Sequence, residues 1–283
     1  MLLDESFRFF DYWDALEYGL YFIIIGYYAL LFFYFLLMRF RTSKKMYWLF
    51  FSLLFLCLAL GRFFFQVYYF FVPELEGEVS SSELILQLML YYKLATFFSW
   101  LGIACALGIL GILLFPPDIT ESKEEPKKIL GRITLTEDLK LLFRLLFIII
   151  PIIIGILVLF LPDAYFMDPD IHEQYNSNVD LVVITFGEWS YPVGRFILNL
   201  VLLPIFIAII PFLFLYLAWK TFGVLRRSYL LNGVGFLIYY AGRLLQGVFE
   251  IFGWVHVRAV APPLLILGAL LLLVIANNYE QLK

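Results

Sequence analysis

Charge is scarce in this chain. Asp, Glu, Lys and Arg make up 15% of its 283 residues, against roughly a quarter in a soluble domain. Hydrophobic residues reach 63% and the mean hydropathy is +0.91, so a water-soluble globule is excluded. No segment alternates apolar and polar residues in the manner of a membrane β-strand, which removes the barrel class. Cysteine is almost missing too. Cys57 and Cys105 both lie in apolar runs, where they read as small core residues and not as a disulfide framework. Of the two histidines only His256 is near a helix, whereas haem held between helices wants a helical pair, and zinc sites usually want more His or Cys. There is no H-E-x-x-H, no G-x-S-x-G and no Walker A stretch, and no Asp lies inside an apolar run for a carboxylate dyad. The expectation is a protein that is not an enzyme, takes no cofactor and has no nucleic-acid partner.

What remains is a series of long apolar runs. Seven spans are predicted, at about 15–38, 46–71, 84–115, 141–161, 193–219, 229–252 and 255–276. The fold class is therefore an all-α integral membrane protein, with residues 1–283 forming a single seven-helix domain. Asp4, Glu5, Asp11 and Asp14 precede the first run. A cleavable signal peptide begins basic, so this run is expected to stay as a helix.

Lys and Arg predict the orientation. Arg39, Arg41, Lys44 and Lys45 lie between the first two runs. Lys123, Lys127, Lys128, Arg132, Lys140 and Arg144 lie between the third and fourth, and Lys220, Arg226 and Arg227 between the fifth and sixth. With Lys283, 14 of the 20 basic residues fall on one side. Residues 73–83 and 162–194, on the other side, have none. The positive-inside rule puts the N-terminus outside and the C-terminus inside a multi-pass protein of the cell membrane.

Two stretches resemble each other. "KKMYWLFF…LALGRFFFQ" and "RRSYLLNG…YYAGRLLQ" each run from a basic pair, through a Tyr two residues later, to Gly-Arg about four turns on. Tyr47 precedes Gly61 by 14 residues and Tyr229 precedes Gly242 by 13; a Gln follows each Gly-Arg. A duplicated three-helix unit with a linker helix gives this pattern, a 3+1+3 parallel repeat with units 15–115 and 193–276.

The Gly-Arg pairs place cations where lipid is expected. A rise of 1.5 Å per residue from mid-span puts Arg62 and Arg243 roughly 4–6 Å, and Lys93 about 9 Å, to the outer side of the midplane. Each unpaired charge there costs about 2.5–3.5 kcal/mol on the insertion scale, so such groups face a bundle interior or a wet cavity. Gln66, Gln246 and Glu250 share helical faces with the arginines. Asn199 enters from the fifth run, and His256 and Arg258 from the seventh. A guanidinium fork suits a carboxylate or phosphate. The expected ligand-binding residues are Arg62, Gln66, Lys93, Asn199, Arg243, Gln246, Glu250, His256 and Arg258, around an anionic or amphipathic small molecule or a lipid headgroup. The competing reading is structural, with Glu17 or Glu250 pairing with the cations, or with cations snorkelling to headgroups.

Other features have plainer readings. Pro204 and Pro211, and Pro262 and Pro263, kink their helices and serve either as static bends or as hinges. Ala104 and Gly108 form a small-xxx-small pair suited to internal helix packing. Asp168, Asp170, His172 and Glu173 match no metal motif, so the long segment 163–192 reads as an acidic loop able to cover the outer mouth. The charged loop 118–140 is a solvated connector able to dock a cytoplasmic or membrane protein partner.

Seven helices with an outer N-terminus resemble the layout of opsins and G-protein-coupled receptors, but residues 255–276 hold no Lys for a Schiff base. The 3+1+3 pattern resembles small sugar transporters with parallel repeats, without their signature residues. The reading is a receptor-like or sensor-like protein with an outward-facing cationic pocket. The alternatives are a small secondary transporter using the same site, and an accessory subunit of a membrane complex.

Overall fold

A computed structural model of the chain describes residues 11–115, 137–175, 177, 179–186 and 189–278. Among these, seven helices exceed 20 residues: α1 Tyr12–Ser43, α2 Met46–Leu75, α3 Ser81–Leu114, α4 Glu137–Phe160, α5 Val193–Lys220, α6 Gly223–Ile251 and α7 Val255–Asn278. The described residues are all-α apart from a two-stranded hairpin, β1 Val183–Phe186 against β2 Trp189–Pro192, in the segment before α5.

All seven helices except α6 are both long and apolar enough to cross a membrane, which makes this a multi-pass helical membrane protein. Helix α6 is long enough, with 29 residues or about 44 Å at 1.5 Å per residue. It falls short on apolarity because it carries Arg226, Arg227, Asn232, Arg243 and Gln246 along with five glycines. Arg226 and Arg227 at its start are exposed, whereas Asn232 is fully buried and Arg243 and Gln246 line the interior of the bundle.

The helix starts follow from local chemistry. Asp11 caps α1 and Asp14 returns the bond to the Asp11 backbone; Ser80 and Glu83 do the same for α3. Lys44, in the left-handed region at φ 56°, turns the chain sharply between α1 and α2. Within α2 and α5 the ladder widens to π-helical turns at Val67–Phe71 and Phe196–Leu202. Such turns re-aim the side chains around them and are frequent at functional sites.

Six helices close into a ring. Helix α1 packs on α2 and α7, α2 on α3, α3 on α5, α5 on α6, and α6 on α7. Helix α4 lies outside the ring, packed along α3, and turns Leu145, Ile149, Ile153 and Ile156 outward. Small residues set the ring's closest approaches. A Cβ on Gly61 of α2 would sit 3.2 Å from the Ala95 carbonyl oxygen of α3. One on Gly242 of α6 would sit 3.2 Å from the Pro262 carbonyl oxygen of α7. Gly108 of α3 abuts the Phe50 ring of α2, so the small residues of α3 serve internal packing.

The two ends of the ring differ. At one end Tyr47 and Asn232 both bond to Asn277, at 3.2 and 3.0 Å, and Arg39 donates to Asn278 at 2.5 Å; Tyr34 also bonds to Asn278. This polar knot ties α1, α2, α6 and α7 together. At the other end the segment between α4 and α5 folds down onto the bundle. Phe166 and Met167 are fully buried there, and a Cβ on Gly194 would collide with the Tyr165 carbonyl and the Phe166 ring. Only glycine lets the segment approach α5 so closely.

Candidate functional site: a chamber with three arginines

Two polar systems meet between the helices at the hairpin end. The first is a chain of charged and amide groups. Arg62 on α2 stacks 3.4 Å from the centre of the Tyr21 ring and donates from Nη2 to Gln246 Oε1 on α6, at 2.9 Å. Gln246 Nε2 donates to Glu17 Oε1 on α1 at 3.5 Å, and Arg258 on α7 donates to Glu17 Oε2 at 3.1 Å. Arg258 also lies 3.7 Å from Asp14. Four helices are thus joined through groups that would be costly in lipid if unpaired. A cavity of about 100 Å³ adjoins this chain, lined by Asp14, Glu17, Gln66, Gln246 and Arg258. Gln66 is buried, and its Oε1 has no hydrogen-bond donor among the described residues.

The second system is a chamber of about 170 Å³ inside the ring. Its wall carries three guanidinium groups, Arg62, Arg195 and Arg243, with Tyr92, Thr96, Ser99, Tyr191 and Asn199. Arg195 is locked in place. It donates to the Phe166 carbonyl, to Asp168 Oδ2 at 3.2 Å and to the Tyr68 hydroxyl at 3.0 Å, and it lies 4.2 Å from the centre of the Tyr92 ring. Asn199 donates to the Tyr92 hydroxyl at 2.7 Å. Arg243 differs from the other two: among the described residues it makes no hydrogen bond or ion pair, and its nearest aromatic contact is the Phe65 ring at 6.0 Å. Thr96 Oγ1 is buried and unpartnered on the same wall.

Of the nine residues expected from sequence, the structure brings Arg62, Asn199, Arg243 and Gln246 to the chamber. Gln66 and Arg258 line the smaller cavity beside it. Lys93 is spoken for: its Nζ meets Asp163 Oδ1 at 2.5 Å and the Leu161 carbonyl at 2.7 Å, pinning the segment after α4 to α3. His256, at the start of α7, lies against the Trp13 ring at 4.4 Å with the two rings tilted by 53°. The side chain of Glu250 and the loop 118–136 lie outside the described residues.

Arg195, Glu17 and Thr96 escaped the sequence reading as site members. Arg195 stands in the first turn of α5, one residue beyond the base-free stretch 162–194. An arginine at the mouth of an apolar run was the available signal. Glu17, expected only as a structural partner, sits at the centre of the charge network. Among the described residues no group of three or more His, Cys, Asp or Glu side chains is placed to hold a metal ion. No family model, curated protein or solved structure shows a significant match to this chain.

Proposed function

We propose that this is a membrane protein that binds a small anion in the three-arginine chamber. The observation that carries the reading is Arg243, a guanidinium on the wall of an intramembrane chamber with no acceptor among the described residues. A cation in that position is stabilised by an anion that enters with it. An accessory subunit has no need of such a chamber.

The way the site is used follows from the arrangement of the ring, which favours a carrier over a sensor. In this reading α6 spans with the other six helices, the basic end faces inward and the hairpin end faces out of the cell membrane. Helices α1–α3 and α5–α7 are then two copies of one unit, with α4 as linker. Several observations support the duplication. Exchanging the units turns the contact of α3 with α5 into that of α7 with α1, and both contacts exist. Gly61 meets a backbone carbonyl of α3, and Gly242 meets one of α7. Arg62 and Arg243 line the same chamber. A site on the seam between two repeats suits alternating access. The Asn232, Asn277 and Tyr47 knot is the closed inner gate of the present state.

The test is thermal stability of the purified protein against a panel of carboxylates, phosphates and lysolipids, with wild type and Arg243→Gln side by side. A ligand at a hundredfold excess over Kd stabilises the wild type by about 2.7 kcal/mol. The effect disappears in Arg243→Gln. If no member of the panel shifts the wild type, the chamber is structural.

A further inference from the structure

We infer that the chamber's anion is a single-tailed amphiphile with a monoanionic acid head and a short aliphatic chain. The inference rests on the anion-site reading and names the class of anion.

Charge sets the head. Arg62, Arg195, Arg243 and Arg258 surround the two cavities, with Asp14, Glu17 and Asp168 against them. Among the described side chains one positive charge remains, and it falls to Arg243. One negative charge on the ligand balances it; a second would enter a low-dielectric site without a partner. The head meets hydrogen-bond donors with little rearrangement: the Arg243 fork, and the buried Thr96 hydroxyl, which has no partner among the described residues.

The tail follows from what lies below. A third cavity of about 50 Å³ adjoins the chamber, and Ser99, Leu203 and Arg243 line both. Apart from Ser99, Tyr239 and Arg243 the walls of this slot are apolar: Leu54 and Leu58 of α2, Ile103 of α3, Ile207 of α5 and Phe236 of α6. Water gains too few partners in such a slot, and methylene groups gain contact on every side. One water-sized group needs roughly 10–15 Å³ of such a cavity, so the slot holds about three to five of them. A bare inorganic anion would leave it empty.

The experiment is calorimetric titration of the protein in zwitterionic-lipid nanodiscs, with empty nanodiscs subtracted. The probes are straight-chain carboxylates from acetate to decanoate, primary alcohols of the same lengths, and inorganic phosphate. Affinity is expected to rise about fourfold per added methylene, and to level off near hexanoate once the slot is full. Each alcohol should bind at least tenfold more weakly than the carboxylate of its length. Ala106→Leu, which fills the slot, should flatten the chain-length dependence while acetate still binds. Ile207→Phe repeats the test from the facing helix, guarding against a fold-specific failure of the first variant. Carboxylates that bind with no dependence on length overturn the amphiphile and leave the anion site standing. So does phosphate binding more tightly than hexanoate. Alcohols that match the acids overturn the role of Arg243 as head contact. If no anion binds, the underlying anion site falls as well.

Discussion

Arg62 and Gln246, on helices four positions apart in the chain, share a hydrogen bond of 2.9 Å in the middle of the ring. Gln246 passes the contact to Glu17, and Glu17 to Arg258. Glu17 therefore holds Arg258 directly and Arg62 through Gln246. Glu17→Leu should destabilise the fold by about 2–3 kcal/mol, somewhat below the 3–5 typical for breaking a fully buried pair because Arg258 keeps some water contact. Equilibrium unfolding in mixed micelles reads this directly.

Arg243 should behave in the opposite way. Among the described residues it has no acceptor to leave behind, so Arg243→Gln removes a half-buried charge and breaks no hydrogen bond or ion pair seen there. Stability of the empty protein should hold or rise by about 1 kcal/mol, even as anion binding is lost. Destabilisation comparable to that of Glu17→Leu would make Arg243 structural.

Lys93 separates position from role. It lies at a similar depth by sequence count, yet its ammonium is engaged by Asp163 and the Leu161 carbonyl. Lys93→Met should cost about 1–3 kcal/mol of stability through the unpaired carboxylate and carbonyl. It should leave the anion Kd within twofold of wild type. A tenfold loss of affinity would place Lys93 at the ligand after all.

The glycines of the proposed repeat give a paired prediction. Gly61→Leu and Gly242→Leu each force side-chain atoms against a helix backbone whose carbonyl lies 3.2 Å from the Cβ position. Each should cost roughly 1–3 kcal/mol by overpacking. Similar losses at the two sites fit equivalent positions of a repeat; a loss at one alone does not.

How much of this was legible in the sequence follows from what each residue reports on. Apolar runs mark helices through hydrophobicity alone: a long helix lies at each predicted run, six of them apolar enough to cross a membrane and α6 less so. Their ends differ: α1 starts at Tyr12 and runs to Ser43, because capping by Asp11 and a π-helical turn extend it beyond the apolar stretch. Inward placement of Arg62 and Arg243 was legible from the cost of charge in lipid. Depth along a helix was not enough to say which cations share a cavity. Lys93 finds its partner in Asp163, 70 residues away, across a segment whose fold no local pattern specifies. Arg195 belongs to the chamber because that same segment packs onto α5 at Gly194, a contact with no signature in spacing or composition.

Orientation is testable by labelling. In a Cys57→Ser/Cys105→Ser background, Ser80→Cys should react with a membrane-impermeant maleimide on intact cells. Thr42→Cys should react only after permeabilisation. The reverse pattern would invert the topology and turn the chamber inward.

The most direct test of the anion chamber is anomalous diffraction from crystals grown with bromide in place of chloride. An anomalous peak among Arg62, Arg195 and Arg243 in the wild type, gone in Arg243→Gln, is the expected result. A chamber with no peak in the wild type, at bromide concentrations that label other cationic surfaces of the protein, would contradict the account.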